Sequence, residues 1–428
     1  MTLKDQMQLE ETYVMTTYKR KPVQFVRGSG IHVYDDTGKE YLDFLAGVGA
    51  VSVGHANPRV VKALEQQAAK LLHVSNYYYI EGRGELAHRI SDLLNANSGS
   101  APAGGSAPAG GNAPAASAPQ AEAAAPWKTF FANSGTESVE GAIKLARKYG
   151  ITHLEGADTI ITARRSFHGR TLAALAATGQ PNKQESFEPM PSGFVHVDLN
   201  DISELKALLN KKIGGKAVCA VMLECIQGEG GVYPCTNEYL KAARELTQEK
   251  GILLIIDEVQ TGYYRTGTYP FAFQHAGIMP DVVTMAKGLG GGVPIGAFAA
   301  RGDAAGILEP GDHGSTFGGS PLVIAAANAV LDELQAMDAA THVAEVGAYL
   351  QDQVAKLPHV TEVRGKGLMV GIELDGPLAE LVVASGLEAG LVLNSIGQHI
   401  MRFLPPLVCT KADVDVLAER LTEIMERL

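Results

Sequence analysis

"LLIIDEVQTG", residues 253–262, sets an aspartate directly after four consecutive apolar residues. A run that is apolar at every position, without alternation, fits a strand buried on both faces, as in a parallel sheet covered by helices. Asp257 then stands at the carboxyl end of that strand, where open α/β sheets place their ligands. A carboxylate there is costly unless something satisfies it. Two kinds of partner are open at this point. One is a helix-terminal amide or a neighbouring arginine. The other is the protonated nitrogen of a heterocyclic ligand.

The surrounding sequence repeats the pattern. "DTIITAR" (158–164), "AVCAVMLECI" (217–226), "DVVTMA" (281–286) and "IGAFAA" (295–300) are short, apolar and β-rich. Stretches with helical spacing separate several of them, as at 237–250, and others lie at 57–74 and 134–150. Apolar strands alternating with helices predict an α/β fold with a largely parallel, buried sheet. The pattern changes after about residue 325. A long helix over 322–336 leads to "VTEVRGKGLMVGIELD" (360–375), then a helix, a strand and a final helix, which reads as a smaller α+β domain. The first 60 residues carry the strand-like "GIHVYDDTGKEYLDF" (30–44) and are expected to pack with that C-terminal part. The expected division is an N-terminal segment 1–60, a large domain 61–325 and a small domain 326–428.

Residues 97–126 interrupt this order. They read "NSGSAPAGGSAPAGGNAPAASAPQAEAAAP", with SAPAGG twice in tandem, almost no charge and no aromatic residue. Such a stretch cannot bury enough apolar surface to offset its ordering entropy, and is expected to be a disordered insertion between a helix and a strand of one domain.

Composition narrows the function. With 36 Lys+Arg against 47 Asp+Glu, the net charge is −11, which argues against a nucleic-acid surface and disfavours an anionic membrane. The four cysteines form no CxxC pair and no zinc-ligand spacing, so neither a disulfide framework nor a metal is expected, and a reducing cytoplasm is. The N-terminal stretch is charged and no run of about twenty apolar residues occurs, so neither a secretory signal nor a membrane span is expected.

Two further stretches could carry chemistry. "FFANSGTES" (130–138) runs from a strand-like end through Ser134, Gly135 and Thr136 into a helix. Helix N-termini expose free N–H groups and bind phosphate, although the same residues also make an ordinary N-cap. "TMAKGLGGGVPIG" (284–296) puts Lys287 after another apolar run and before a glycine-rich turn. Read alone it is a surface lysine beside a loose turn, or a nucleophile whose small neighbours make room for a cofactor. A complete GxGxxG or GxxxxGK[ST] motif does not occur, so a dinucleotide or P-loop enzyme is poorly supported. A phosphate turn, a strand-end aspartate and a strand-end lysine are together what a pyridoxal phosphate enzyme requires.

At this density of motifs the chain resembles the class III (ornithine/acetylornithine-type) aminotransferases of pyridoxal phosphate fold type I. The motifs are "YLDFLAG" (41–47), "NSGTE" (133–137), "FHGRT" (167–171), "IQGEGG" (226–231), "DEVQTG" (257–262), "MAKGLGGG" (285–292), "GSTFGG" (314–319) and "RFLPPL" (402–407). The resemblance implies an aspartate aminotransferase-like large domain plus a smaller one, and it implies roles. Lys287 would bond covalently to the cofactor, Asp257 would keep the pyridine nitrogen protonated, and Gln260 would lie near the ring's phenolic oxygen. Ser134, Gly135 and Thr136 would hold the phosphate, and Phe167 would stack on the ring. Thr316 would reach the phosphate of a second subunit, so the active unit would be a homodimer with shared sites, and Ser315 beside it would belong to the substrate-binding residues. Arg402 would bind the α-carboxylate of glutamate and 2-oxoglutarate, with Glu229 as the carboxylate that covers it when the longer donor is bound. Arg170 and Tyr18 would bind the donor's carboxylate.

The implied reaction is a ping-pong transamination. Val48, within "FLAGVGAV" (44–51), occupies the place of a tyrosine in ornithine-specific relatives. That favours N2-acetylornithine with 2-oxoglutarate, in arginine biosynthesis. Succinyl-diaminopimelate, succinylornithine and 4-aminobutyrate stay open as donors, and so do a mutase or decarboxylase on the same fold and a degenerate binding protein. Cys225 and Ser320 depart from the family pattern, which has proline and asparagine there.

Overall fold

A computed structural model describes residues 2–96 and 126–428. The expected 97–126 insertion lies outside the described residues, except for Pro126. Its flanks meet directly. The Trp127 N–H donates to Ser91 Oγ at 3.1 Å, and its indole N–H donates to Asn95 Oδ1 at 3.1 Å. Helix 83–95 and the strand that follows therefore belong to one packed unit.

The strands are β1 (Phe25–Ser29), β2 (His32–Asp35), β3 (Glu40–Asp43), β4 (Lys128–Ala132), β5 (Thr159–Ala163), β6 (Phe194–Val197), β7 (Val218–Glu224), β8 (Ile226–Gln227), β9 (Tyr233–Pro234), β10 (Leu253–Asp257), β11 (Val282–Met285), β12 (Gly296–Ala300), β13 (Val360–Lys366), β14 (Met369–Leu374), β15 (Leu391–Val392), β16 (Asn394–Ile396) and β17 (Ile400–Phe403). Seven of them form the main sheet in the order β4-β12-β11-β10-β7-β5-β6. Every pair from β11 to β6 is parallel, while β12 runs against both its neighbours.

The apolar runs are explained by burial on two faces. Successive side chains of a strand point to opposite sides. Ile160, Met222, Leu253, Ile255 and Val282 share one core with Val139, Ala142, Ile143 and Ala146 of helix 135–153. Ile161, Leu223, Leu254, Ile256 and Val283 share the other core with Tyr239, Leu240 and Ala243 of helix 237–249. Gly141 lets helix 135–153 lie directly on the sheet, since a Cβ there would fall 2.1 Å from the Phe298 ring.

Two four-stranded sheets flank this unit. One is β13-β14-β17-β16, antiparallel throughout. The other joins distant parts of the chain, because β3 pairs in parallel with β15 through Leu42–Leu391 and Asp43–Val392. Three strands lie between 391 and 403, where the sequence pattern predicts one, and the helix Ala339–Val354 stands where it predicts none. It also extended the helix at 57–74, which ends at Ala68. All four cysteines are buried and free.

Candidate active site

The carboxyl ends of β7, β10 and β11 open into one cavity of about 400 Å³. Ser134, Gly135, Thr136, Phe167, Arg170, Glu224, Glu229, Asp257, Gln260 and Lys287 line it. The parallel register brings the strand ends together, with Asp257 opposite Glu224 on one side and Thr284 on the other.

Asp257 is buried and firmly held. Its Oδ1 accepts from the Val259 N–H at 3.1 Å and the Thr284 hydroxyl at 2.9 Å, and Oδ2 lies 2.8 Å from His168 Nδ1. Burial disfavours charge on His168, but its bond to Asp257 and the charges of Asp257 and Glu224 outweigh that and raise its pKa. Burial pushes the Glu224 carboxyl up to about 7, reinforced by Asp257 and opposed by His168. Glu224 Oε2 also accepts from the Phe167 N–H at 3.0 Å, which fixes the backbone of that aromatic residue. His168 and Glu224 were not singled out from the sequence.

Lys287 opens a short turn after β11 with φ of +41°, a region that side chains rarely adopt. Its ammonium is disfavoured by burial and by Arg402, against the opposing charges of Glu229, Asp257 and Glu224, and the net effect lowers its pKa. The turn 134–136 starts the 19-residue helix Gly135–His153, capped by Ser134 through the Glu137 N–H at 3.3 Å. Gly135 is a close-approach position, because a Cβ would fall 2.7 Å from Val259 Cγ1.

Arg402 reaches the site from the antiparallel sheet. It is 2% exposed, and its Nη1 donates to Glu229 Oε1 at 2.5 Å and to Gln260 Oε1 at 3.2 Å. Burial alone would raise the Glu229 pKa, but the charge and hydrogen bond of Arg402 bring it below the usual carboxylate range. Arg170 lies exposed at the mouth, with its guanidinium carbon 5.4 Å from the Phe167 ring centre. Ser315 lies one residue outside the cavity lining, accepting from Asn133 Nδ2 at 3.1 Å. Tyr18 and Thr316 are exposed and do not line the cavity.

A protein-family model for aminotransferase class III matches residues 13–425. The chain belongs to the class III aminotransferases. It is 43% identical to the acetylornithine aminotransferase of Caldanaerobacter subterraneus over 98% of both chains. It is 44% identical to that of Aquifex aeolicus, over 97% of this chain and all of the relative. Among solved structures it superposes on acetylornithine aminotransferase from Elizabethkingia anophelis with a TM-score of 0.82 at 32% identity, covering 100% of this chain and 99% of the other. The ornithine aminotransferase of Toxoplasma gondii gives a TM-score of 0.87 at 31% identity, covering 100% and 96%.

Class III membership makes the protein a pyridoxal phosphate-dependent aminotransferase, and the cavity fits that cofactor. Among the described residues Asp257 has no hydrogen bond to an arginine or lysine; its ionisable partner is His168, and the carboxylate lines the cavity, where it suits a protonated ring nitrogen. The free N–H groups of a long helix face the same space, as a phosphate needs. No helix among the described residues is long and apolar enough to cross a membrane.

Proposed function

We propose that the protein transfers the terminal amino group of N2-acetylornithine to 2-oxoglutarate, giving N-acetylglutamate 5-semialdehyde and glutamate, as a cytoplasmic step of arginine biosynthesis. One observation carries this reading: a nearly fully buried arginine covered by its own carboxylate, Glu229 to Arg402 at 2.5 Å, where Glu229 and Gln260, both bonded to Arg402, line the cavity that holds Lys287. A ping-pong transaminase must admit in turn a donor with no carboxylate near Arg402 and an oxo acid with one. Glu229 neutralises Arg402 for the first and yields it to the second.

Bound pyridoxal phosphate supplies an aldehyde carbon that carries the amino group and a protonated ring that draws electrons from the donor's carbon. The chain's own residues do the rest. Lys287 Nζ, its proton affinity lowered by burial, is the base that takes the proton from the donor carbon and returns it. Asp257, oriented by His168 and Thr284, would keep the ring nitrogen protonated. Ser134, Gly135 and Thr136 would hold the phosphate, Phe167 would pack on the ring, and Gln260 would stand near its oxygen.

Arg170, at the mouth, binds the donor's α-carboxylate as an end-on fork. Val48 packs against the apolar cluster that includes Ile226, and Ile226 lines the cavity, so this part of the wall is apolar, as an acetyl group needs. The relatives named acetylornithine aminotransferase support the same donor.

We infer a homodimer as well. Tyr77 is 94% exposed, Tyr79 102% and Phe317 62%, an unusual apolar surface beside Thr316. Asn76 Nδ2 donates to Ser315 O at 2.9 Å, so both loops form one patch. A second copy covering it brings Thr316 to the neighbouring phosphate. Tyr18 lies outside the cavity, and its carboxylate-binding role also depends on the partner's approach. The division at about residues 60 and 325 is kept as part of this proposal.

Separate carboxylate sites give a direct test. Arg170→Ala is expected to raise KM for acetylornithine far more than for 2-oxoglutarate, and Arg402→Ala the reverse. Equal effects on both half-reactions would overturn the assignment.

A further inference from the structure

Arg402 is gripped on a second side, by a residue that the sequence reading did not single out. Asn394 on β16 lies directly opposite Arg402 on β17 in the antiparallel register. Asn394 Oδ1 accepts from Arg402 Nε at 3.1 Å and from Nη2 at 2.8 Å. Both partners are obligate donors, so the amide must turn its oxygen to the guanidinium. On the far side, Arg402 faces Gly371 of β14, which carries no side chain to compete.

A guanidinium has five N–H groups in one plane. Nε has one and each Nη has two. Asn394 takes the Nε hydrogen and one from Nη2, and Glu229 and Gln260 share the two on Nη1. One Nη2 hydrogen is left. A carboxylate can bind an arginine in a bidentate way along the Nε/Nη2 side or across the Nη1/Nη2 end. The first is closed by Asn394. The second needs only that Glu229 withdraw from Nη1.

We infer that Asn394 is a specificity-determining positioning residue: it closes the side edge of Arg402, so that the oxo-acid carboxylate and Glu229 compete for the same end of the guanidinium. This rests on the reading of Arg402 as the oxo-acid site. Exchange at one edge makes the switch exclusive. With the side edge open, a carboxylate could bind there while Glu229 stayed in place, and the two half-reactions would no longer be separated. A neutral amide suits this role. It fixes the plane of the guanidinium through two hydrogen bonds without cancelling the charge.

The test uses the cofactor-loaded enzyme and follows each half-reaction separately by the cofactor's absorption change. Asn394→Asp places a permanent carboxylate on the side edge. KM for 2-oxoglutarate is expected to rise at least about tenfold, the equivalent of about 1.4 kcal/mol. KM for acetylornithine and the cofactor spectrum should change less than about twofold. Asn394→Ala opens the edge, and its KM for 2-oxoglutarate should become insensitive to a second substitution, Glu229→Gln, that alters it in the parent. Arg402→Ala is the control. If it leaves KM for 2-oxoglutarate unchanged, the oxo-acid assignment itself fails. If it raises that KM while Asn394→Asp does not, or if Asn394→Asp harms both half-reactions equally, only the role of Asn394 is overturned. If Asn394→Asp does not fold, the Asn394→Ala double-variant comparison decides alone: retained sensitivity to Glu229 refutes the inference.

Discussion

Replacing Glu229 by glutamine tests the switch at its hinge. Glu229 Oε1 sits 2.5 Å from Arg402 Nη1, and in the proposed reaction 2-oxoglutarate displaces it to bind. Glutamine keeps the shape and a neutral hydrogen bond but removes the charge. A hydrogen bond to a charged group contributes about 1.5–3 kcal/mol. The low end applies, because the Glu229 side chain is 30% exposed to water. Losing about 1.5 kcal/mol of competition lowers KM for 2-oxoglutarate and glutamate about tenfold. The other half-reaction suffers, because Arg402 then stays charged and uncompensated beside the bound donor. Its charge also lowers the proton affinity of Lys287, whose opposing neighbour Glu229 is gone. Single-turnover kinetics with each substrate alone separates the two effects. Glu229→Gln with an unchanged or higher KM for 2-oxoglutarate would refute the reasoning.

Three further outcomes are expected. Lys287→Ala should abolish the visible absorbance of the lysine-bound cofactor and cut turnover at least about a hundredfold, as loss of a positioned base does; an unchanged spectrum would remove the lysine from its role. In Gly228→Ala, the new Cβ would fall 1.8 Å from Gln260 Oε1 and 2.6 Å from its Cδ. Gln260 must turn away, so KM for 2-oxoglutarate should change several-fold with an intact circular dichroism spectrum; unaltered kinetics would show that Gln260 has no part. The third concerns Glu258, fully buried and pushed up to about 7 from 4.5, chiefly by burial. Between those values the folded protein keeps a proton that the unfolded chain has lost, so stability falls as pH rises, by up to about 1.4 kcal/mol per unit. Denaturant titration of apo-protein should show Glu258→Gln gaining stability relative to the parent from pH 4.5 to 7 and no further above it; a constant difference would contradict the shift.

Much of the site is written in local sequence. Asp257 and Lys287 follow apolar runs, and a buried parallel sheet sends the ends of such runs to one edge. The same rule applies to Glu224, which closes the run "AVCAVMLE" (217–224) as Asp257 closes "LLIID" (253–257). His168 has no such signal, since a histidine between Phe167 and Gly169 looks alike whether it faces water or Asp257. Arg402, Glu229 and Asn394 come together only through pairing between β14, β16 and β17 and the approach of that sheet to the cavity, which no local pattern encodes. The resemblance to a family supplied Arg402 and Glu229, and it was silent on Asn394.

The fold divides the same way. Strands of the main sheet are legible because both faces are buried and the runs are continuous. The β3–β15 pairing joins residues some 350 positions apart, so the two-residue strand Leu391–Val392 shows nothing of itself. Helix Ala339–Val354 starts close after the preceding helix, which ends at Ala336, and begins at Asp338 with φ of +46° instead of a recognised cap. With no recognisable start signal, the sequence pattern shows no element between 336 and 360.

The most direct test of the account is product stoichiometry. Purified protein loaded with pyridoxal phosphate is given N2-acetylornithine and 2-oxoglutarate, and both oxo acid and glutamate are quantified. The account predicts one glutamate formed for each 2-oxoglutarate consumed, and none when either substrate is left out. No consumption of 2-oxoglutarate with acetylornithine or any other ω-amine donor would contradict it.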